Sequence, residues 1–316
     1  MSTSLESNRI FLLKDRAHML GACRAFLTNL GLTEVDTPMI TKRPSIDQHI
    51  EVMKATVSNS ETGYLHTSPE YAMKRLLAEG FHNIFYLGHV FRKAEEGSIH
   101  NPEFTMLEWY MHGIDYLSFI KNTLEVIDLF LGEKSTKHFS YKQLFQYYCE
   151  INITTMSTEQ LKQWLDNHID LETDIEDKDT ILQLILSSYI ESKMEKDALI
   201  IIDQFPHTQA ALAQITTDAD GDSVAKRFEI YYQGIEIANG YHELADSKEQ
   251  AKRFEISNHA RQKMGLEKLP VDEKFVAALD HIGDCYGVSL GFDRLMMLRH
   301  NLSTMATILP YSWANS

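Results

Sequence analysis

The stretch Phe91-Arg92-Lys93-Ala94-Glu95-Glu96-Gly97-Ser98-Ile99-His100-Asn101-Pro102-Glu103-Phe104 decides the fold. We predict a strand that ends at Arg92, a charged loop that Asn101-Pro102 closes, and a second strand that opens with Glu103 and Phe104. The hairpin groups a cation, a histidine, an amide and an aromatic ring. Because an arginine fork suits phosphate oxygens, these groups could hold a nucleotide triphosphate over a sheet.

A second motif lies near the C-terminal end, where residues 287–298 are predicted to form a glycine-spaced strand that enters a helix. Gly287 and Gly291 permit close approach of the backbone to a ligand, and Arg294 would face that ligand from the helix start. A glycine-spaced strand alone is a weak signal. Taken with the hairpin, it predicts an enzyme that activates a carboxylate with ATP.

A third segment places carboxylates on one face of a sheet. Apolar and polar residues alternate on both sides of Gln233-Gly234, which predicts a two-residue turn. In that register Tyr231 faces Glu236, and Glu229 faces Ala238 diagonally beside it. The paired glutamates repel unless a cation lies between them or the face is wet. A magnesium ion that carries ATP phosphates would supply the cation, and a solvated face is the alternative.

Two helices and a short strand are predicted before the hairpin. Thr67-Ser68-Pro69-Glu70 begins one helix, either through a capping box of Thr67 with Glu70 or with Ser68 as the cap. Glu70 also suits a helix N-terminus without any ligand role. A strand is predicted at 34–38. It follows a long helix that Gly31 ends, whose apolar face comprises Ile10, Leu13, Ala17, Leu20, Cys23, Leu27 and Leu30.

Composition sets limits on the class of protein. The chain has 316 residues, of which 44% are hydrophobic and 24% are charged, as in soluble globular proteins. Its formal charge of -15 disfavours nonspecific wrapping of nucleic acid. The three cysteines are far apart and form no Cys-x-x-Cys pair, so we expect neither a disulfide framework nor a zinc site. A reducing cytoplasm fits best, and no apolar segment is long enough to span a bilayer.

Helical periodicity predominates in the middle of the chain. Apolar residues recur at helical spacing from Leu117, at Leu161–Leu165 and at Ile181–Tyr189, and Ser157 with Gln160 resembles a capping box. We therefore predict a mainly helical insertion over about 113–195, with an acidic loop at 166–179, between two groups of strands.

Together these segments resemble the signatures of class II aminoacyl-tRNA synthetases over essentially the whole chain. Within that class, residues 91–92, 100–108, 236–244 and 290–295 resemble the lysyl-tRNA synthetase branch. The first signature helix begins within the opening residues, where that branch would have a barrel for the anticodon. The chain therefore resembles the free-standing members of the family, which join (R)-β-lysine to a lysine of elongation factor P.

The resemblance implies an α+β fold in which helices flank an antiparallel β-sheet. It implies a single catalytic domain over residues 1–316, without an anticodon-binding domain, and a homodimer formed through the first helix and the strand after it. It further implies ATP and Mg²⁺ as cofactors, β-lysine or lysine as the small substrate, and elongation factor P as the acceptor. The expected location is cytoplasmic, with no membrane partner, and tRNA binding is not favoured.

The family also assigns roles to individual positions. The resemblance implies that Arg92, Arg294 and Glu236 are catalytic, and that Glu236 and Glu243 hold magnesium. The implied ATP site comprises Arg92, Lys93, Ala94, Glu95, His100, Asn101, Phe104, Glu236, Ile237, Gly291 and Arg294. The implied substrate site comprises Ser68, Pro69, Glu70, Tyr110, Glu243 and Ser289.

Two positions depart from the family pattern. Many members have a glutamate two residues after the second-signature arginine, where this chain has Ala94, and Glu95 is the candidate replacement. Ser289 stands where a glycine or alanine is usual, and its hydroxyl would narrow the amino-acid pocket. Two other interpretations stay open: a minimal lysyl-tRNA synthetase, and a noncatalytic synthetase-like subunit that regulates a partner. Against the second stands the presence of Arg92, Glu236, Glu243 and Arg294.

Overall fold

The computed structural model describes residues 2–170 and 175–316, with side chains from residue 8 onward. Residues 171–174, part of the predicted acidic loop, lie outside the described residues. Contacts within the chain define two compact units. The first comprises residues up to Gly132 together with Glu243–Ser316, and the second comprises Glu133–His242. The expectation of a single catalytic domain over 1–316 stays a prediction.

The first unit starts with helices and strands in alternation: α1 (Ser2–Asn29), β1 (Thr33–Glu34), β2 (Ile40–Thr41), β3 (Lys54–Ser58), β4 (Glu61–Leu65), α2 (Glu70–Ala78), β5 (Ile84–Phe91), β6 (Glu103–His112) and α3 (Tyr116–Leu131). Helix α1 ends before Gly31, whose φ of +86° suits glycine. The predicted strand at 34–38 is shorter than expected, because only Thr33 and Glu34 pair with β5.

The second unit contains β7 (Ser135–Ser140), α4 (Tyr141–Cys149), α5 (Thr158–His168), α6 (Lys178–Ile185), a π-helical turn (Leu186–Ile190), α7 (Glu191–Lys193), β8 (Ala198–Pro206), β9 (Ile215–Thr217), β10 (Ser223–Tyr232) and β11 (Ile235–His242). Strand β7, which pairs in parallel with β8, was not expected inside the predicted helical segment. A buried apolar cluster that includes Phe145, Leu161 and Ile185 joins the helices to the strands of this unit.

The chain returns to the first unit with α8 (Ser247–Lys263), α9 (Glu273–Leu279), β12 (Cys285–Gly291) and α10 (Phe292–Arg299). The strand order there is β1-β5-β6-β12, and in the second unit it is β11-β10-β8-β7 with β9 beside β10. Most pairs are antiparallel, whereas β1 with β5 and β7 with β8 are parallel. The α+β class is confirmed.

The buried face of α1 differs from the predicted apolar stripe. Cys23 and Leu27 are buried as expected, but Ile10 is 54% exposed. Leu12 and Met19 are buried in its place. Buried Arg16, which pairs with Asp293, lies on the same side of the helix and fixes which face turns inward.

Capping boxes begin two helices of the second unit, at Ser140 with Gln143 and at Ser157 with Gln160. The second was predicted from the sequence and is confirmed. We expect Ser140→Ala to lower the free energy of unfolding by about 1 kcal/mol, because the buried N-cap then loses its side-chain acceptor. Ser140→Gly should lower the free energy of unfolding by only roughly a few tenths of a kcal/mol. Denaturant titration of both variants tests this, and equal losses would contradict it.

Candidate active site

A cluster of buried carboxylates surrounds one lysine in the first unit. Glu70 lies in the first turn of α2, and Lys74 follows one turn later, so both side chains project from one face of the helix. Lys74 is fully buried, and its Nζ lies 2.6 Å from Glu70 Oε1 and 2.6 Å from Glu243 Oε2. Glu108 and Glu243 are also buried. The cluster therefore combines three carboxylates with one ammonium group, of which only Glu70 is partly exposed.

Hydrogen bonds from neighbouring hydroxyls hold Glu108. Ser68 Oγ donates to Oε2 at 2.8 Å, and the Tyr110 hydroxyl donates to Oε1 at 2.7 Å. Burial, and after it the charge of Glu70, raise the pKa of Glu108 to about 7, although the two hydrogen bonds and Lys74 oppose the shift. Ser68 also accepts the Glu70 N–H at 3.0 Å, but Pro69 is the N-cap of α2 and no side chain caps that helix, so neither predicted cap is present.

Glu243 and Lys74 perturb each other. Burial raises the pKa of Glu243 to about 8, although the charge of Lys74 lowers it. Burial alone would lower the pKa of Lys74, but the charges of Glu243 and Glu70 outweigh burial and raise it. Lys74 therefore stays protonated at neutral pH, whereas the Glu243 carboxyl titrates close to neutral pH.

A surface without bulky side chains lies beside these carboxylates on β12. In the pairing of β12 with β6, Gly287 is opposite Tyr110 and Ser289 is opposite Glu108. Directly opposed residues project to the same face of an antiparallel sheet. A Cβ atom at Gly287 would overlap Glu243 Oε1 and the Tyr110 ring. Gly287 therefore leaves the space in which those two side chains lie.

Arginine and an aromatic ring lie together at the other end of β6. The Arg92 guanidinium carbon lies 5.1 Å from the centroid of the Phe104 ring. Glu95 Oε1 is 3.5 Å from Arg92, and the buried Arg92 Nε has no hydrogen-bond partner. A buried donor without a partner is uncommon in proteins, which marks Arg92 as a candidate for ligand binding.

His100 brings the second arginine to this end. Arg294 NH2 lies 2.6 Å from His100 Nε2. Burial and the charges of Arg294 and Arg92 lower the pKa of His100, although Glu95 opposes them. The imidazole is therefore neutral at pH 7, and its Nε2 accepts the hydrogen bond from Arg294. Two arginines thus converge around one uncharged histidine.

The other hairpin positions contact protein groups. Asn101 Nδ2 donates to Glu103 O at 2.6 Å, while its Oδ1 accepts the Trp313 N–H at 2.9 Å. Lys93 pairs with Glu51 at 2.7 Å. Ala94 has a φ of +63°, in the left-handed region where a side chain is disfavoured.

A buried ion pair supports this end of the site from below. Arg16 of α1 pairs with Asp293, and it also donates to Thr105 Oγ1 at 2.8 Å. Asp293 Oδ2 accepts the Thr105 N–H at 2.7 Å. Because Thr105 follows Phe104 and Asp293 precedes Arg294, this network fixes the backbone next to Phe104 and Arg294.

Glu236 lies in the second unit, on β11, and the described register corrects one predicted pair. Tyr231 faces Glu236 as expected, but Glu229 faces Asn239 rather than Ala238. A bulge between Ile230 and Tyr231 shifts the pairing by one residue. Ile237 is buried on the same strand.

The cation that two glutamates require is present in that unit. Arg227 pairs with Glu229, and the charges of Glu229 and Glu236 both raise the pKa of Arg227. Tyr231 donates a hydrogen bond to Glu229 Oε2 at 2.7 Å. The buried Glu229 is therefore neutralised within the protein, without a metal ion.

Known proteins share these segments over nearly the whole chain. A family model described as tRNA synthetases class II (D, K and N) matches residues 4–314. The chain belongs to this class II synthetase family.

Similar proteins from several bacteria share one name, elongation factor P–(R)-β-lysine ligase. The protein from Haemophilus influenzae (strain PittGG) is 40% identical over 310 residues, covering 96% of this chain and 95% of the relative. The one from Pasteurella multocida (strain Pm70) is 38% identical with the same coverage. The protein from Yersinia enterocolitica is 39% identical, covering 95% of this chain and 94% of the relative.

The structure brings together several residues of the predicted substrate site. Ser68, Glu70, Tyr110 and Glu243 converge as the resemblance implied, with Pro69 directly between Ser68 and Glu70. Lys74 and Glu108 were missed as site residues. Two signals were available: Lys74 follows Glu70 by one helical turn, and Glu108 alternates at period two with Tyr110 on one strand.

The predicted magnesium ligands have less support than the predicted substrate residues. Among residues 8–170 and 175–316, no three His, Cys, Asp or Glu side chains are grouped to hold a metal ion. Glu243 is held by Lys74 and faces Tyr110, which suits an amine better than a metal. Glu236 is a carboxylate of the kind that supplements phosphate ligands to Mg²⁺. The assignment of Mg²⁺ to Glu236 stays a prediction, and the same assignment to Glu243 is not supported by these contacts.

Gly287→Ala is expected to raise the KM for the amino-acid substrate on the order of tenfold to a hundredfold. The added methyl group would displace Glu243 and Tyr110, whereas the nucleotide end would be unchanged. Gly21→Ala is the matched control, because nothing lies within 4 Å of a Cβ built there. Steady-state kinetics with the amino acid and ATP varied in turn would test this. An equal rise in both KM values would contradict it.

Proposed function

We propose that this chain is an ATP-dependent, AMP-forming ligase that activates (R)-β-lysine, or lysine, and transfers it to the ε-amino group of a lysine on elongation factor P. The printed names of the relatives support the acceptor and the amino acid. One structural observation carries the chemistry. In the first unit, buried carboxylates lie at one end of β6, and two arginines lie at the other.

The spacing along β6 suits a substrate that connects these ends. Phe104, Glu108 and Tyr110 project to one face because strand side chains alternate. Glu108 comes four positions after Phe104, which is roughly 14 Å along the strand. A diamino acid would place its amino groups among the carboxylates and its carboxylate towards Arg92.

Charge supports a diamine at the carboxylate end. The three glutamates and Lys74 leave two formal negative charges, which two substrate ammonium groups would neutralise. Burial makes each such contact stronger than it would be in water. A monoamine would leave one carboxylate unpaired, which disfavours its binding.

In the first step, a carboxylate oxygen of the amino acid attacks the α-phosphorus of ATP. The bond from that phosphorus to the bridging oxygen breaks, and pyrophosphate leaves with the electron pair. Arg92 and Arg294 would stabilise the added negative charge on the phosphates, and neutral His100 would hold Arg294 in place. This chemistry needs no covalent protein nucleophile, since positioning and charge neutralisation supply the rate enhancement.

In the second step, the neutral ε-amine of the acceptor lysine attacks the acyl carbonyl carbon. The bond from that carbon to the AMP oxygen breaks, AMP leaves, and the amine loses a proton as the amide forms. We assign no side chain described in the first unit as the general base for this proton transfer.

The remaining nucleotide assignments follow the family. Phe104 would stack on adenine and Gly291 would give the backbone access to it, while His100 and Asn101 would lie near the phosphates. Lys93, Ala94, Glu95, Glu236 and Ile237 complete the proposed ATP site. Mg²⁺ would neutralise phosphate charge, with Glu236 as a candidate ligand.

The proposed assembly is a homodimer through α1 and β1. Ile10 and Phe11 of α1 are 54% and 59% exposed, and such apolar side chains are available to a second copy. Within residues 2–170 and 175–316, no helix is long and apolar enough to cross a membrane. We propose a cytoplasmic location, as for other steps of translation.

Transfer to purified elongation factor P tests this function. The enzyme, ATP and (R)-β-lysine are incubated with elongation factor P or with bulk tRNA, and the products are measured by intact mass and by tRNA charging. We expect elongation factor P to gain one β-lysyl group. Charging of tRNA alone would support a minimal lysyl-tRNA synthetase, and formation of adenylate without transfer would indicate another acceptor.

A further inference from the structure

Lys74 is an unusual component of a site that binds amines. Its side chain is fully buried, and its ammonium group lies among carboxylates where substrate ammonium groups would be expected to bind. Its Nζ also lies 6.0 Å from the centroid of the Tyr110 ring. Burying an ammonium ion is strongly unfavourable unless partners compensate. A methionine would fill similar volume without that cost, so the charge itself calls for an explanation.

The position of Lys74 links the two carboxylates that bracket the amine site. Glu70 comes from α2, and Glu243 comes from the segment that follows β11. Both oxygens lie 2.6 Å from one nitrogen atom, so the ammonium group holds two separate parts of the chain in register. Without it, two neighbouring carboxylates would repel each other.

We propose that Lys74 is a positioning residue that holds the Glu70 and Glu243 carboxyl groups together, and so sets the charge of the site to match a diamine. This inference rests on the proposed function. Lys74 itself need not touch the reacting atoms. It would act through the carboxylates that receive the substrate.

The groups around Glu243 determine how the removal of Lys74 would change the pKa of Glu243. Glu70 and Lys74 face it from α2, Glu108 and Tyr110 from β6, and Cys285 from β12. Lys74 is the cation among them. Burial already raises the pKa of Glu243 to about 8, so removal of Lys74 would raise that pKa further. Glu243 would then gain its charge only in more alkaline solution than in the parent protein.

The test measures KM for the amino acid in Lys74→Met across pH, by pyrophosphate exchange and by calorimetric binding of lysine without ATP. We expect KM near pH 7 to rise about tenfold or more and then to fall steeply as pH rises. The midpoint of this dependence should lie at least about one pH unit above that of the parent protein. The KM for ATP should change little.

Two further variants separate charge from packing. Lys74→Arg keeps the cation and should keep the parental midpoint. Lys74→Met combined with Glu243→Gln removes both charges, so its weaker binding should keep only the pH dependence that Glu108 supplies. The inference about Lys74 alone would be overturned if Lys74→Met kept the parental midpoint of the pH dependence. It would also be overturned if Lys74→Met and Lys74→Arg shifted that midpoint equally. If the parent protein neither binds nor activates any diamino acid, the proposed function fails and this inference fails with it.

Discussion

Arg92→Ala is expected to lower the rate of ATP–pyrophosphate exchange by on the order of a hundredfold to a thousandfold. Arg92 is half-buried beside Phe104, and its Nε has no partner within the protein. In the proposed function, the exposed part of this side chain would contact the phosphate oxygens on which negative charge accumulates during the first step. Exchange measured at saturating amino acid would report the loss, which should appear mainly in kcat.

Arg24→Ala is a suitable control for Arg92→Ala. Arg24 is also an arginine paired with a glutamate, but both side chains of that pair are more than 40% exposed. An exposed pair contributes about 1 kcal/mol or less to stability. Exchange by Arg24→Ala should stay within about twofold of the parent. Nearly full exchange by a folded Arg92→Ala protein would show that Arg92 does not contact the reacting phosphate.

Glu243→Gln is expected to lower kcat/KM for (R)-β-lysine on the order of a hundredfold or more, with a smaller effect on ATP binding. The substitution removes a buried carboxylate from the amine site. It also leaves buried Lys74 with one charged partner fewer. Because Glu243 and Lys74 have opposite charges, the remaining positive charge would repel the substrate ammonium group.

The pH dependence of the parent protein provides an independent check on Glu243. The pKa values of Glu243 and Glu108 are raised to about 8 and about 7, so both carboxyl groups gain charge as pH rises through this range. Amino-acid affinity should therefore increase from about pH 6 to pH 8, and Glu243→Gln should lose part of that increase. Glu249→Gln, on α8, is the control, since Glu249 pairs with Arg253 outside the cluster. A full pH response in Glu243→Gln would contradict the assignment.

Local sequence patterns predicted the elements that carry the site. The hairpin of β5 and β6 follows from alternation and from Asn101-Pro102, and the strand from Cys285 to Gly291 follows from its glycines. The turn at Gln233-Gly234 was also correct, because it depends on two neighbouring residues. These features need no knowledge of distant contacts.

Other features depend on residues that are far apart in sequence. The pair of Arg16 with Asp293 connects α1 to the start of α10, and no local pattern predicts it. The bulge in β10 moves Glu229 opposite Asn239, and its position is set by packing on both sides of the strand. Strand β7 was hidden because its polar residues face solvent and resemble a loop.

The site shows the same division. Glu70 and Glu243 were assigned through the family resemblance, yet the lysine between them was not. A lysine in an amphipathic helix is ordinarily solvated, so its complete burial becomes visible only once Glu243 and Tyr110 lie beside α2. The charge of the site, which determines which substrates it accepts, therefore required the three-dimensional arrangement.

Pyrophosphate exchange with a panel of amino acids tests the central claim most directly. The claim is that buried carboxylates select a diamino acid whose carboxylate is then joined to AMP. The panel comprises (R)-β-lysine, lysine, and norleucine, which lacks the distal amine of lysine. We predict exchange with the diamino acids, strongest with (R)-β-lysine, and little with norleucine. Equal exchange with norleucine, or none with either diamino acid, would contradict the account.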